Sequence, residues 1–316
     1  MPIDIVTAYL APEGLVHPLV QELNGETAVH GRLVLSPLAA QKAHWAENVW
    51  LAPKKIPVQS ISDAARKLKA LQRNWWLYSF HLHRRAALIQ EQLPHVSARP
   101  LFFPAPLPAS PLGSWTLLDA HTLLASARCT SPFPNGTVNF VEDREGPPSR
   151  AYLKLWETWT RFQRHPRPGE FCLDAGGSPG GWAWAAAALG ARVLSVDRAP
   201  LAPKVMSLPG VSFQKGDIFS LKPETLAGRE PVVHWLLSDV ICYPEKLFDW
   251  VVGWLESGMC ENFICTLKFQ DGANYAIANR FADLPGGQVL HLYYNKHELT
   301  WVRLAPAPTS DTVSGT

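Results

Sequence analysis

The rhythm of hydrophobic and polar positions changes partway along the chain. IDIVTAYLA (3–11) reads as a strand, residues 14–23 suit a short helix, and GRLVLS (31–36) returns as a strand, together a small α/β unit. Over 62–93 the spacing predicts helix, with Ser62 as cap and acidic Asp63 in the first turn. About 30 residues is long for one helix, so a break falls near Tyr78–Ser79. Pro100, Pro104, Pro106, Pro108 and Pro111 then remove backbone donors and enforce a loop or extended connector. A strand pair follows at 113–129 and 135–141, before the polar, proline-rich EDREGPPSR (142–150).

Beyond that point strands and helices alternate. FCLDAG, ARVLSVDRA, VSFQKGD, VHWLLSDV and FICTLKF read as strands; 181–189 and 245–258 read as helices; QVLHLYYN and ELTWVRLA close the series as an antiparallel pair. This alternation predicts a mainly parallel sheet covered on both faces. The expected organisation is an N-terminal α/β and helical region over 1–145, a Rossmann-like α/β domain over 146–304, and a disordered tail over 305–316.

Composition narrows the picture little. The 316 residues are 47% hydrophobic and 18% charged, enough to bury a sizeable core. A net charge of +2 gives no global argument for nucleic acid. No apolar run reaches bilayer length and the first residues do not read as an export signal, so a cytoplasmic protein without a membrane partner is expected. Cys129, Cys172, Cys242, Cys260 and Cys265 show no paired spacing, which reads as reduced thiols and no metal site.

Chemistry first shows at 174–182, DAGGSPGGW, between a strand and a helix. Glycines there permit a tight turn and a close ligand approach. The spacing is neither GxxxxGK[ST] nor GxGxxG. Asp197 ends the next strand, where a carboxylate can accept from ribose hydroxyls, and Asp217 follows the third strand at the same edge. These signals favour an adenosine-bearing cofactor without separating NAD from S-adenosylmethionine. Four more residues sharpen the choice: Lys154 in SRAYLKLWE, Asp239 ending WLLSD, Lys268 ending FICTLK, and Glu298 in HLYYNKHELTW. Two lysines and two carboxylates can satisfy one another in a half-buried site.

In order, SRAxxKLxE, DxGxxPGGW, SDV, LK and HLYxxxxE resemble the FtsJ-type (RrmJ-like) family of ribose 2′-O-methyltransferases, over Pro148 to about Arg303. More narrowly they resemble the bacterial enzymes that methylate a cytidine ribose in large-subunit ribosomal RNA. The helical stretch from SISDAARKLKAL to EQLP is similar to the segment that precedes the catalytic domain in that group. The resemblance implies an S-adenosylmethionine-dependent methyltransferase fold with a smaller N-terminal α/β domain, acting on RNA. It implies that Gly180, Gly181 and Trp182 lie against the methionine or sugar part of the cofactor, Ser149 near its carboxylate, Asp197 at the ribose, Asp217 by the adenine and Asp239 beside the methyl donor. Lys154, Asp239, Lys268 and Glu298 would form the catalytic tetrad, with Lys268 as base. A free lysine, pKa about 10.4, holds its proton, so such a base needs desolvation or a second cation nearby. The chain departs from the family at Gly177-Ser178, at Phe269-Gln270, and in an N-terminal region shorter than that of the ribosomal RNA group.

Arg66, Lys67, Lys69, Arg73, Arg84 and Arg85 could bind phosphates, with Trp75, Trp76 and Tyr78 stacking bases. A basic solvent face and an aromatic core face of one helix explain them equally. Other readings are methylation of a protein or small molecule, a nicotinamide oxidoreductase, and a noncatalytic RNA-binding scaffold; no protein partner is required by any of these patterns.

Overall fold

The computed structural model describes residues 4–226, 232–269 and 272–306. The expected disordered tail falls, from 307 onward, outside the described residues, as does Gln270. The described residues of Met1–Asp143, Trp156–Arg164 and Leu290–Leu299 form one compact unit, and those of Arg144–Leu155, His165–Val289 and Thr300–Thr316 the other.

In the first unit the chain runs β1 (Thr7–Leu10), α1 (Val16–Leu23), β2 (Ala28–His30), β3 (Leu33–Ser36), β4 (Asn48–Leu51), β5 (Lys54–Pro57), α2 (Ile61–Leu71), β6 (Trp75–Leu77), α3 (His83–Gln90), β7 (Gly113–Asp119), β8 (Thr122–Ser126) and β9 (Arg128–Cys129). A five-stranded sheet has the order β2-β3-β1-β4-β9 and a four-stranded one the order β5-β8-β7-β6. Leu68, Trp75, Ile89, Trp115 and Leu123 share one core, and Leu10, Leu33, Trp50 and Leu124 another.

The helix expected over 62–93 is three elements. Its cap is Ser60, not Ser62: the Ser60 hydroxyl accepts from Asp63 N at 3.1 Å. The chain leaves the helix after Leu71, and Trp75–Leu77 pairs in parallel with β7, Trp75 opposite Gly113. A nonlocal ladder and aromatic burial outweigh local helical spacing here. Trp75 is fully buried, its indole donating to Leu68 O at 2.9 Å, and Tyr78 is buried, so neither offers a surface for bases. Of the basic residues, Lys67 pairs with Asp63 at 3.0 Å and Arg66 with the same carboxylate. The strand expected over 135–141 is absent; a 3-10 turn occupies Pro134–Gly136, and Phe140 makes only an isolated bridge to Leu101. α4 (Tyr152–Phe162) carries the fully buried Glu157, which accepts from Tyr293 N and Tyr294 N at 2.9 and 3.1 Å and from Arg161 Nε at 2.8 Å.

Next along the chain come β10 (Phe171–Ala175), α5 (Gly181–Ala187), β11 (Arg192–Asp197), α6 (Pro203–Met206), β12 (Val211–Lys215), α7 (Pro223–Leu226), β13 (Val233–Ser238), α8 (Pro244–Ser257), β14 (Cys260–Lys268), α9 (Tyr275–Asp283), β15 (Gly287–Leu290) and β16 (Glu298–Arg303). QVLHLYYN is thus strand only to Leu290, and a turn closes with Asn295 N on Leu292 O at 3.0 Å. The seven-stranded order is β12-β11-β10-β13-β14-β16-β15, and the ladders joining β12, β11, β10, β13 and β14 are parallel. β10 is buried along its whole length, and β13 and β14 nearly so, as strands covered on both faces must be. This is the Rossmann-like α/β fold of the S-adenosylmethionine-dependent methyltransferases, with an additional N-terminal α/β part. The strand order reverses between β10 and β13, the switch point where open α/β sheets bind ligands.

Candidate active site

Ala175, Asp197, Lys215, Ser238 and Lys268 end the parallel strands on one edge of the sheet, and a cavity of about 610 Å³ opens there. That volume is within the roughly 300–1,000 Å³ of small-molecule sites. The loop after β10 forms its floor, and two glycines in it are sterically required. A methyl group on Gly177 would sit 2.0 Å from Asp174 Oδ2 and 2.2 Å from Ser195 Oγ. Gly180, at φ +108°, lies in the left-handed region and would press on Val205. Gly181 lines the cavity against Ser149 Oγ, and Trp182, buried, lines it while its indole donates to Ala151 O at 2.9 Å. Gly180 is not among the lining residues; its part is to turn the chain into α5.

Asp197 faces the cavity and braces the floor: Oδ2 accepts from Ser178 N at 3.0 Å and Oδ1 from Ala199 N at 2.9 Å. Asp217 also lines it, capping a short 3-10 turn through Phe219 N at 3.1 Å and pairing with Arg198. The Arg198 guanidinium holds the Asp217 carboxyl below the usual range.

Beside the switch point, Lys154 Nζ donates to Asp239 Oδ1 and Oδ2 at 3.0 and 3.1 Å. Lys268 Nζ lies 3.0 Å from Asp239 Oδ1 and also donates to the Asp239 carbonyl. All three side chains are largely shielded, with 11%, 18% and 21% exposure for Lys154, Asp239 and Lys268. Asp239 and Lys268 line the cavity; Lys154 meets it through the carboxylate it holds. Thus α4, β13 and β14 bring together two ammonium groups and one carboxylate. Glu298 is the first residue of β16 and is half-buried.

Residues that sequence spacing did not single out also shape the site. Asp174 is fully buried, accepts from Ser195 Oγ at 3.0 Å, and keeps Oδ1 with no hydrogen-bond partner among the described residues; burial pushes its carboxyl up to about 7. It was visible as the first residue of DAGGSPGGW, but a strand-ending aspartate does not announce its own burial. Ile218, Phe219, Ile241 and Tyr243 supply an apolar rim, Ile241 80% exposed. Burial pushes the neighbouring Cys242 thiol up to about 11, so it stays protonated near neutrality.

Comparison with known proteins points the same way. The chain is 36% identical over 153 residues to the ribosomal RNA large subunit methyltransferase M of Halorhodospira halophila, covering 48% of this chain and 43% of that one. With the protein of the same name from Ectopseudomonas mendocina it shares 32% over 166 residues, 51% of this chain and 45% of the relative. With that from a Marinomonas species the match is weaker but longer, 26% over 283 residues, 83% and 73% of the two chains. The chain spans less than half the length of the first two of these curated relatives. The stretch that builds the cavity, residues 147–268, matches the model of the FtsJ-like methyltransferase family.

Proposed function

We propose that this chain transfers a methyl group from S-adenosylmethionine to a ribose 2′-hydroxyl of RNA, with ribosomal RNA, named in its relatives, as the acceptor. The carrying observation is one carboxylate, Asp239, held between Lys154 and Lys268 at the wall of the cavity.

The lining fits the cofactor better than it fits a dinucleotide. Asp174, Asp197, Asp217 and Asp239 all line the cavity, and of its three cations Arg198 and Lys268 are already paired. Such a wall disfavours a pyrophosphate and suits a cationic ligand. The unpartnered Asp174 oxygen is an acceptor for an amino group. Asp197 would hold the ribose, Asp217 the adenine end, Ser149 with Gly181 and Trp182 the amino-acid end, and Asp239 the region of the donor group, with Gly180 only turning the chain into α5. When bound, the cofactor supplies an electrophilic methyl group on a sulfonium.

Lys268 takes the proton of the attacking hydroxyl at Nζ. A neutral amine keeps two N–H groups, enough for the hydrogen bond to Asp239 O and the 3.0 Å contact with Oδ1, and has one lone pair left to accept. Lys154 fixes the Asp239 carboxylate through both oxygens, so the base is aimed before substrate arrives.

The test is transfer of labelled methyl to unmodified ribosomal RNA, free and in particles, beside total protein and metabolites. The expected label maps to a ribose oxygen and falls by at least about 100-fold in Lys268→Ala. Label on protein or metabolite alone, or a fully active Lys268→Ala protein, overturns the reading.

A further inference from the structure

The N-terminal unit holds a second cavity, of about 480 Å³, formed wholly by its own residues. It begins with the alternation of β6. Side chains on a strand point to opposite faces in turn, so burying Trp75 in the core turns Trp76 the other way. Trp76 is half-buried and lines the cavity. Pro108, Pro111, Pro132 and Pro134 give further walls with little backbone freedom.

The polar groups are unevenly distributed. Arg32, His95 and Arg99 line the cavity, and no Asp or Glu among the described residues does. Arg32 is committed to Glu47 at 3.1 Å, whereas Arg99 is exposed and makes no ion pair among the described residues. Asn135 sits at φ +50°, held by its Nδ2 donating to Leu77 O at 3.1 Å; its Oδ1 is buried with no protein partner. A left-handed asparagine and an unmatched buried acceptor both cost stability, which a ligand donor would offset.

We propose that this cavity binds a nucleotide, its base stacked on Trp76, an amino group of the base donating to Asn135 Oδ1, and its phosphate facing Arg99. An aromatic platform with an unpaired arginine and stiff apolar walls is the chemistry of single-stranded nucleotide binding. Free nucleotides and RNA share that chemistry. The choice of one residue of a single-stranded RNA rests on the methyl-transfer reading above.

The experiment is calorimetry on the full chain with its methyltransferase cavity saturated by S-adenosylhomocysteine. CMP, AMP, ribose 5-phosphate and a short single-stranded oligoribonucleotide are titrated in turn. Expected are binding of the nucleotides despite the saturating ligand, ribose 5-phosphate weaker by at least about fivefold for want of a base, and a similar loss of nucleotide affinity in Trp76→Leu. Because Trp76 is half-buried, the exposed Arg99→Glu serves as the second variant, and it too must weaken binding. The oligonucleotide binding tighter than CMP and AMP supports the RNA source; equal or weaker binding overturns that half and leaves a free-nucleotide site. Nucleotide binding absent under saturation, or indifferent to both variants, overturns the site itself. Methyl transfer is not read in this assay, so either proposal can fail without the other.

Discussion

Replacing Gly177 by alanine tests the floor of the cavity at the switch point with a single carbon. The added Cβ would lie 2.0 Å from Asp174 Oδ2 and 2.2 Å from Ser195 Oγ, well inside the 3.4 Å at which ordinary contact begins. Neither neighbour can swing away: Asp174 and Ser195 are buried, and a 3.0 Å hydrogen bond ties them together. Overpacking of this kind costs about 1–3 kcal/mol. Breaking the hydrogen bond adds about 1 kcal/mol. The sum is roughly 2–4 kcal/mol, and at about 2–4 °C per kcal/mol the melting temperature falls by roughly 5–15 °C. Circular dichroism melting measures it, with S-adenosylhomocysteine titration as the functional readout, since the displaced loop carries Ser178 on Asp197. Pairing the change with Asp174→Ala opens the space the methyl needs. The double variant should then be more stable than the two separate losses predict, by at least about 1 kcal/mol. A Gly177→Ala protein that melts like the parent and binds the ligand equally well would refute the close-approach argument.

Lys154→Ala should lower kcat by about 100-fold or more while leaving S-adenosylhomocysteine affinity unchanged, because Lys154 does not line the cavity; an equal loss of both would show that it shapes the pocket instead. Asp197→Ala should weaken that affinity by roughly 10–100-fold, the worth of charged hydrogen bonds to a diol, and unaltered binding would remove Asp197 from the ribose. Glu157→Ala removes a fully buried carboxylate from two backbone donors and the largely shielded Arg161 and should cost about 3–5 kcal/mol, read by urea unfolding; a loss under 1 kcal/mol would contradict it. The Asp174 carboxyl, raised to about 7 in the fold from an ordinary 3.8, binds its proton more tightly folded than unfolded. Its contribution to stability is therefore full below about pH 4 and is lost as pH climbs through 7, by roughly 4 kcal/mol. Glu47, also raised to about 7, acts in the same direction, and His291, lowered to about 4, in the opposite one. Asp174→Asn should flatten the fall between pH 4 and 7, and unfolding curves of the same slope in both proteins would rule Asp174 out as its source.

The Rossmann-like half was legible because its signals are local and repeated: the end of a strand, a glycine-rich turn and the start of a helix in nine residues, then acidic residues at successive strand ends. The union of Lys154, Asp239 and Lys268 was legible only through a resemblance, since 85 residues separate the first pair and no spacing rule connects them. Burial was the hidden quantity. Asp174 reads like any acid near a strand end, yet it is buried, while Asp197, on the same cavity, is only half-buried. The N-terminal half misled for a different reason. ISDAARKLKAL and HRRAALIQ are true helices, and the three residues of β6 between them take their conformation from Gly113–Trp115, a partner that local periodicity does not contain. Trp76, a stacking candidate placed on a helix, lies instead on this strand and half-buried at a cavity.

The order β14-β16-β15 has a consequence for synthesis. β14, whose ENFICTL core is almost wholly buried in the finished sheet, has one neighbour, β13, available before it leaves the ribosome; its other neighbour is made some 30 residues later, a matter of seconds at the rate of translation. Through that interval the nascent chain carries an unpaired, apolar strand edge, the kind that recruits foreign strands. A released chain that ended shortly before Glu298 would have its cavity loops already made and its sheet still open along β14, a poor species to accumulate.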